Sequence, residues 1–444
     1  MKKPLIIIAL ACLAGLNSSA QQSYSLEEAI DFATKNNASV KNAVLGIESA
    51  NQKVKETRAI GLPQVSAAGE FQNFLDIPIT VAPANAFNPA APADELVSLQ
   101  FGTEFNAKGS LNANQLIFNG SYLVGLQTSK KFKKVSEFQK TKTIQDVKEN
   151  VIKAYYGALV AEKTMVTLTE IAATAQTIYD QTKGLFDQGL IEEYNVTQLS
   201  LNVLQAKNSL NGAKRQWDNT KNLLKFQMGM DVNESISLTS DFDAVISSLD
   251  ASQSEVTSEI NQNIDFLLLN QQRELNVLNV KYEQSQYLPS LNAFFTHQQN
   301  ALRNDFDLLE SGQPWFPTTI WGLNLSVPIF SSGSRSSKVS QAKIQLKQTE
   351  NSLSQLEKGL SIQTLSAKTN YDNAFDTYTT SKEAVAISKK IYNNYQIKFK
   401  EGLITSLDLS QIQTQYLSTQ TQYIQAMYNL VSAKIELDKI TNKL

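Results

Sequence analysis

Phe186-Asp187-Gln188-Gly189-Leu190-Ile191 returns along the chain as Phe399-Lys400-Glu401-Gly402-Leu403-Ile404, a displacement of 213 residues (399 − 186). An amphipathic helical pattern follows each copy, with apolar or small residues three and four apart. The first runs Val196, Leu199, Val203, Ala206, Leu210, Ala213, Trp217, Thr220, Leu224, and the second Leu409, Ile412, Tyr416, Thr419, Tyr423, Ala426, Leu430, Ala433, Leu437, Ile440. The same displacement carries one series onto the other. Upstream, Leu62-Pro63-Gln64-Val65 matches Leu288-Pro289-Ser290-Leu291, and Ile117-Phe118-Asn119-Gly120 matches Ile329-Phe330-Ser331-Ser332-Gly333. Three matches in one order mark a tandem duplication, with repeats expected over 21–232 and 233–444.

Each repeat reads helix, strand, loop, strand, very long helix, tight turn, long helix. Ser25-Leu26-Glu27-Glu28 is a capping box, and its helix is expected to run to Ile60, stopped by Gly61 and Pro63. Residues 119–186 hold no proline. A helix of that length extends about 100 Å at about 1.5 Å per residue. Its counterpart is 334–400, and the shorter helices fall at about 192–230 and 406–442. Heptad spacing implies coiled-coil packing of these helices.

Strands are expected at about 64–76, 98–118, 289–301 and 317–330. Their alternation is regular: Trp321, Leu323, Leu325 and Val327 on one face, Gly322, Asn324 and Ser326 on the other. Segments of roughly ten residues that are apolar on one side suit a barrel facing lipid outside and water inside. A soluble sandwich alternates too, but here Glu104 and Lys108 stand on the polar face. Aromatics also gather near the strand ends (Phe71, Phe118, Trp315, Phe316, Trp321, Phe330), as in an interfacial girdle. The stretches 74–96 and 303–313 read as loops at one end of these strands.

The chain has 444 residues, 18% charged and 42% apolar, a mean hydropathy of -0.25, and 40 basic against 42 acidic residues. That excludes a polytopic helical membrane protein and a charge-rich disordered one, and it offers no basic excess for nucleic acid. One cysteine and one histidine exclude disulfide frameworks, Cys/His nucleophile pairs and most metal sites. Neither a cofactor nor a catalytic group is expected. Lys2-Lys3, the apolar run from Leu5 to Leu16 and Ser18-Ser19-Ala20 form an export signal over 1–20. Cleavage after Ala20 is expected to leave a mature chain without cysteine; the rival is lipidation at Cys12.

Several motifs have bland readings. Ser331-Ser332-Gly333-Ser334-Arg335 lacks the Gly-Lys-Ser/Thr ending of a phosphate loop and reads as a strand-to-helix turn with a serine cap. Glu192-Glu193 suits the positive end of the next helix. His297 reads as a surface residue of an outer strand.

Ser25-Leu26-Glu27-Glu28-Ala29-Ile30, the two Leu-Pro strand entries, the Ile-Phe strand exits and the paired Phe-x-x-Gly-Leu-Ile turns together resemble the TolC outer-membrane efflux family. The resemblance covers nearly the whole mature chain. It departs where the family often has Asn-Pro and this chain has Asn37-Ala38 and Asn263-Ile264. The fold class it implies is α plus transmembrane β: a homotrimer whose twelve-stranded β-barrel continues into a twelve-helix periplasmic α-barrel. Physics supports assembly, because four strands cannot close and an open edge in lipid costs several kcal/mol per unpaired group. Three copies give twelve strands, wide enough for a watery passage.

The implied function is the outer-membrane exit duct of a tripartite efflux or secretion system. The implied partners are outer-membrane lipid, a periplasmic adaptor (membrane fusion) protein and an inner-membrane transporter. The adaptor-facing tips are Gly189, Leu190, Ile191, Gly402, Leu403 and Ile404, with exposed apolar side chains expected. A gate ring is implied at Asp408, with Gln411 a turn later and Asn195 at the matching place of the first repeat. Asp408 has a simpler reading as a complement to the helix dipole. The rival from another class is an exported coiled-coil or adhesin-like stalk without a pore.

Overall fold

The computed structural model describes residues 22–444, apart from 91, 93, 241, 243–245, 247–258 and 309. The export signal and Cys12 lie outside the described residues. Strand β1 (Gln22–Tyr24) leads into α1 (Leu26–Asn36), α2 (Ala38–Ala59), β2 (Gln64–Asn73), β3 (Ile79–Pro83), β4 (Leu96–Gln100) and β5 (Phe105–Asn119). Next come α3 (Gly120–Asp187), α4 (Glu193–Met228), β6 (Ile236–Leu238), α5 (Ile264–Ser285), β7 (Ser290–Arg303), β8 (Phe316–Ser326), α6 (Ser334–Lys400) and α7 (Ser406–Ile440).

The single helix expected from Leu26 to Ile60 is two. Ser25 caps α1, its Oγ accepting from the Glu28 N–H (3.2 Å) while Glu28 Oε2 accepts from the Ser25 N–H (2.8 Å). Asn37 then leaves helical geometry at ψ 131, and its Oδ1 takes the Ser39 N–H at 2.8 Å to start α2. An asparagine side chain that competes for backbone donors breaks a helix here without proline.

The chain forms two compact units that do not follow the repeats. One holds residues up to Ile47, Ser136–Asn270 and Asn351–Leu444; the other holds Glu48–Val135 and Gln271–Glu350. Each draws on both repeats. A lone pair of strands is marginal in water, so the strands of the two halves share one sheet.

That sheet, in the second unit, has the order β2-β5-β7-β8, all antiparallel, so the seam between repeats is β5 on β7. Register aligns Val65, Ala113, Phe295 and Trp321 on one face, with Ala67, Leu111, His297 and Thr319 in the next row. His297 Nδ1 lies 2.8 Å from Thr319 Oγ1. The opposite face carries Ser66, Asn112, Thr296 and Ile320, then Ala68, Ser110, Gln298 and Thr318, then Glu70, Lys108, Asn300 and Phe316. Trp321 is 77% exposed, and Leu323, Leu325 and Val65 are exposed beside it. Both β2 and β8 are edges.

Three further expectations change. The strand expected over 98–118 is β4 and β5, separated by Gly102 at φ +139. The supposed loop 74–96 contains β3 and the first residue of its partner β4, which pair as an arm of their own. At 331–335 the turn into α6 is made by positive φ at Ser332 (48) and Gly333 (80), so a glycine, not a serine, precedes the helix. The loop after β7 is folded back. Phe306 meets Phe71 and Phe105 edge-on, and Arg303, 7% exposed, reaches the Pro314 carbonyl and Asp307.

The first unit packs α1, the β1–β6 pair and the helices around Tyr155, Leu224, Met228, Met427 and Leu430, all essentially solvent-free. Here α7 buries Ile424, Met427, Val431 and Ile435 in addition to the heptad residues Ala426, Leu430 and Leu437. Its apolar face is broader than one seam because α1 and β1 belong to the same core. Among the described residues, no helix is long and apolar enough to cross a membrane.

Candidate functional site

The two tight turns that join the long helices lie in the first unit and are built alike. α3 ends with the Gly189 N–H on the Phe186 carbonyl (2.8 Å) and the Leu190 N–H on the Leu185 carbonyl (3.0 Å). α6 ends with Gly402 on Phe399 (3.0 Å) and Leu403 on Lys398 (2.9 Å). This paired closure needs a left-handed residue, and the glycines supply φ 74 and 72.

Beyond the turns the repeats diverge. Thr405 caps α7: its Oγ1 accepts from the Asp408 N–H (3.2 Å), while Asp408 Oδ2 accepts from the Thr405 hydroxyl (2.7 Å) and N–H (3.0 Å). Those donors hold the Asp408 carboxyl below its usual range, the hydroxyl first and the amide next. The matching cap of α4 is Glu192, which makes no side-chain bond, with Glu193 in the first turn.

Of the tip residues, Leu190 (66%) and Leu403 (68%) are exposed, whereas Ile191 and Ile404 are half-buried. Exposure of all four was expected. Ile404 instead joins a cluster of Ile178, Leu199, Tyr392 and Leu409, which Phe399, Ile412 and Tyr416 complete. Tyr392 and Tyr416 stack at 5.3 Å and 13°.

Asp408 and Gln411 are both exposed, three residues apart and so neighbours on the helix. Asn195 does something else. Its Oδ1 accepts from the hydroxyl of Ser406, which is fully buried (2.8 Å). A second bond, Ser410 Oγ to Asn202 Oδ1 (3.0 Å), continues the same α4–α7 seam. The seam escaped the sequence reading, although its signal was present: Asn195 and Asn202 are one heptad apart, and Ser406 and Ser410 one turn apart. Among the described residues no group of His, Cys, Asp or Glu could hold a metal ion.

A family model for outer membrane efflux proteins matches residues 88–230 and 257–443. The Vibrio cholerae outer membrane protein TolC is 21% identical over 439 residues, spanning 98% of this chain and 94% of that one. Among solved structures, CusC matches with a TM-score of 0.73 at 13% identity, covering 94% of this chain and 91% of the other. The CmeC outer membrane channel of Campylobacter jejuni matches at 0.68 and 20% identity, covering 94% and 85%.

Proposed function

The chain belongs to the outer membrane efflux protein family, and from that premise we propose that it is the exit duct of a tripartite efflux or type I secretion system. As a member it is an outer-membrane channel protein and not an enzyme. The proposed assembly is a homotrimer. Its sheets join edge to edge into a twelve-stranded barrel, and its long helices form the periplasmic tunnel. A periplasmic adaptor docks at the tips, and an inner-membrane transporter supplies the energy.

The observation that carries this reading is the sheet. It has two unpaired edges and one strongly exposed apolar face, Val65, Trp321, Leu323 and Leu325. Both features are costly in water, and both are satisfied by a closed barrel in lipid. Planar-bilayer recording of the purified protein, with native mass measurement, tests it. Stepwise conductance from a trimer is the expected result; a stable monomer or a silent protein would favour a stalk.

The gate is proposed at Asp408 and Gln411, with Asn195 behind them in the seam. Three Asp408 carboxylates converging on an axis attract cations. Since Gln411 cannot ionise, one acidic ring is expected. The measurement is block of single channels by a multivalent cation from the tip side. Asp408→Ala should lose block, while Thr405→Ala, which removes the cap and keeps the charge, should retain it. Equal block in Asp408→Ala and wild type leaves Asp408 as a cap alone.

A further inference from the structure

The sheet ends at Asn73, but the chain does not turn straight back into β5. It builds an arm first, closed at its base by the Phe74 N–H on the Glu104 carbonyl (2.8 Å). In the arm β3 and β4 pair from Ile79–Gln100 to Pro83–Leu96. From Phe74 to Glu104 there is no lysine, arginine or histidine. The two faces differ. Ala82, Val97 and Leu99 are half-buried, while Ile79 (64%), Val81 and Leu96 (65%) stand in solvent on the other face. A lone two-stranded hairpin is marginal in water. One that exposes Ile79, Val81, Pro83 and Leu96 on a face shared only with Ser98 and Gln100 needs something to cover it.

The position of the arm identifies the cover. It springs from β2, one free edge of the sheet, at the end remote from the helices. The other free edge, β8, runs antiparallel to β2 and starts at that same end with Phe316. Trp315 and Phe316 are exposed there. Where sheets join edge to edge, β2 of one copy meets β8 of the next, and the arm arrives over the aromatic start of that β8.

We propose that the arm is a clasp: its Ile79–Val81–Leu96 face packs on the Trp315–Phe316 end of a second copy of this chain and staples the outer rim of the seam. The proposal rests on the barrel reading above. It goes beyond that reading in assigning the arm a role between copies, in place of a free loop or a lipid-facing one.

Cysteine pairs test it, since the chain holds no cysteine after Cys12. Val81→Cys or Leu96→Cys is combined with Trp315→Cys or Phe316→Cys, oxidised in outer membranes and resolved on denaturing gels. Amine crosslinking of the same membranes reports assembly independently. Disulfide-linked dimers and trimers are expected from at least one pair, reversible by reductant. Crosslinked trimers with no disulfide ladder from any pair overturn the clasp and leave the trimer standing. Labelling of Val81→Cys by a bilayer-soluble maleimide without a ladder overturns it in favour of lipid. Absence of crosslinked trimers overturns both readings. Ile79→Asp, a surface change that leaves both strands paired, should lower the temperature at which trimers dissociate in detergent; an unchanged temperature counts against the clasp.

Discussion

Gly229→Ala should damage this protein far more than the same change at either tip glycine. All three glycines hold positive φ: 78 at Gly229, 74 at Gly189 and 72 at Gly402. An alanine in that region costs about 1–2 kcal/mol, and stiffening the unfolded chain returns about 0.4–1 kcal/mol. At Gly189 and Gly402 nothing lies within 4 Å of an added Cβ, so the net loss stays near 1 kcal/mol or below.

Gly229 is different. It closes α4, its N–H on Phe226 (3.0 Å) and the Met230 N–H on Lys225 (2.9 Å). A Cβ there would lie 2.9 Å from the Asn36 carbonyl oxygen and 3.0 Å from two further backbone atoms of Asn36 and Asn37. Backbone cannot swing aside as a side chain does, and the junction is tied from the other side by Asn37 Nδ2 donating to the Gln227 carbonyl (2.8 Å). Forcing such a contact adds about 1–3 kcal/mol, for a total of about 1–4 kcal/mol. The assay is urea unfolding of the purified protein in detergent, followed by helical circular dichroism, with the three variants compared by their midpoints. A Gly229→Ala midpoint no lower than that of Gly402→Ala would refute the reasoning.

Two further outcomes are expected. Tyr155 is wholly buried, and its hydroxyl is bonded to the Tyr24 carbonyl (2.9 Å) and Ser240 Oγ (2.8 Å), so Tyr155→Phe should cost about 1–3 kcal/mol. Hydrogen exchange should speed up at Gln22–Tyr24 before it does at the tips; uniform change would count against this latch. Burial raises the Glu149 carboxyl, but hydrogen bonds from Lys153 and Lys439 (2.6 Å each) outweigh it, so its pKa lies below the ordinary 4.5. Its contribution is therefore whole above pH 4.5 and lost as pH falls through the lowered value. Lys439 is raised above 10.5, so its share disappears only above that. Glu149→Gln should lower stability at neutral pH and converge with wild type in acid; an equal deficit at both would refute the linkage.

What the sequence disclosed was local. Gly189 and Gly402 can be read as helix stops because a left-handed closure leaves one residue of choice. Asp408 could be placed in the first turn of its helix, but its reciprocal cap with Thr405 was not read from the sequence. Less accessible was anything that depends on distant pairing. Asn195 could be aligned with Asp408 by counting, yet its partner Ser406 follows only from how α4 packs on α7. The arm was hidden because Pro83 and Pro92 made β3 look like loop, while most of β4 was read as the start of the strand over 98–118. His297 shares a face with Trp321 by long-range register, which a bulge between Leu116 and Phe118 shifts further down β5. The division into two units could not be found by repeat hunting at all, since it cuts across the repeats.

That crosswise division has a kinetic consequence. The central seam pairs Phe105 with Arg303 and Asn119 with Ser290, so the first half of the sheet has no partner until the second half has been made. Closing a loop of that length is only modestly more costly than closing a short one, but contacts so far apart in sequence slow the search. Throughout that interval β5 is a bare edge, able to pair with any other extended chain. The newly exported polypeptide thus passes through a vulnerable stage whose length is set by its own gene duplication. Holding that edge apart from its neighbours is a task for the compartment in which it folds.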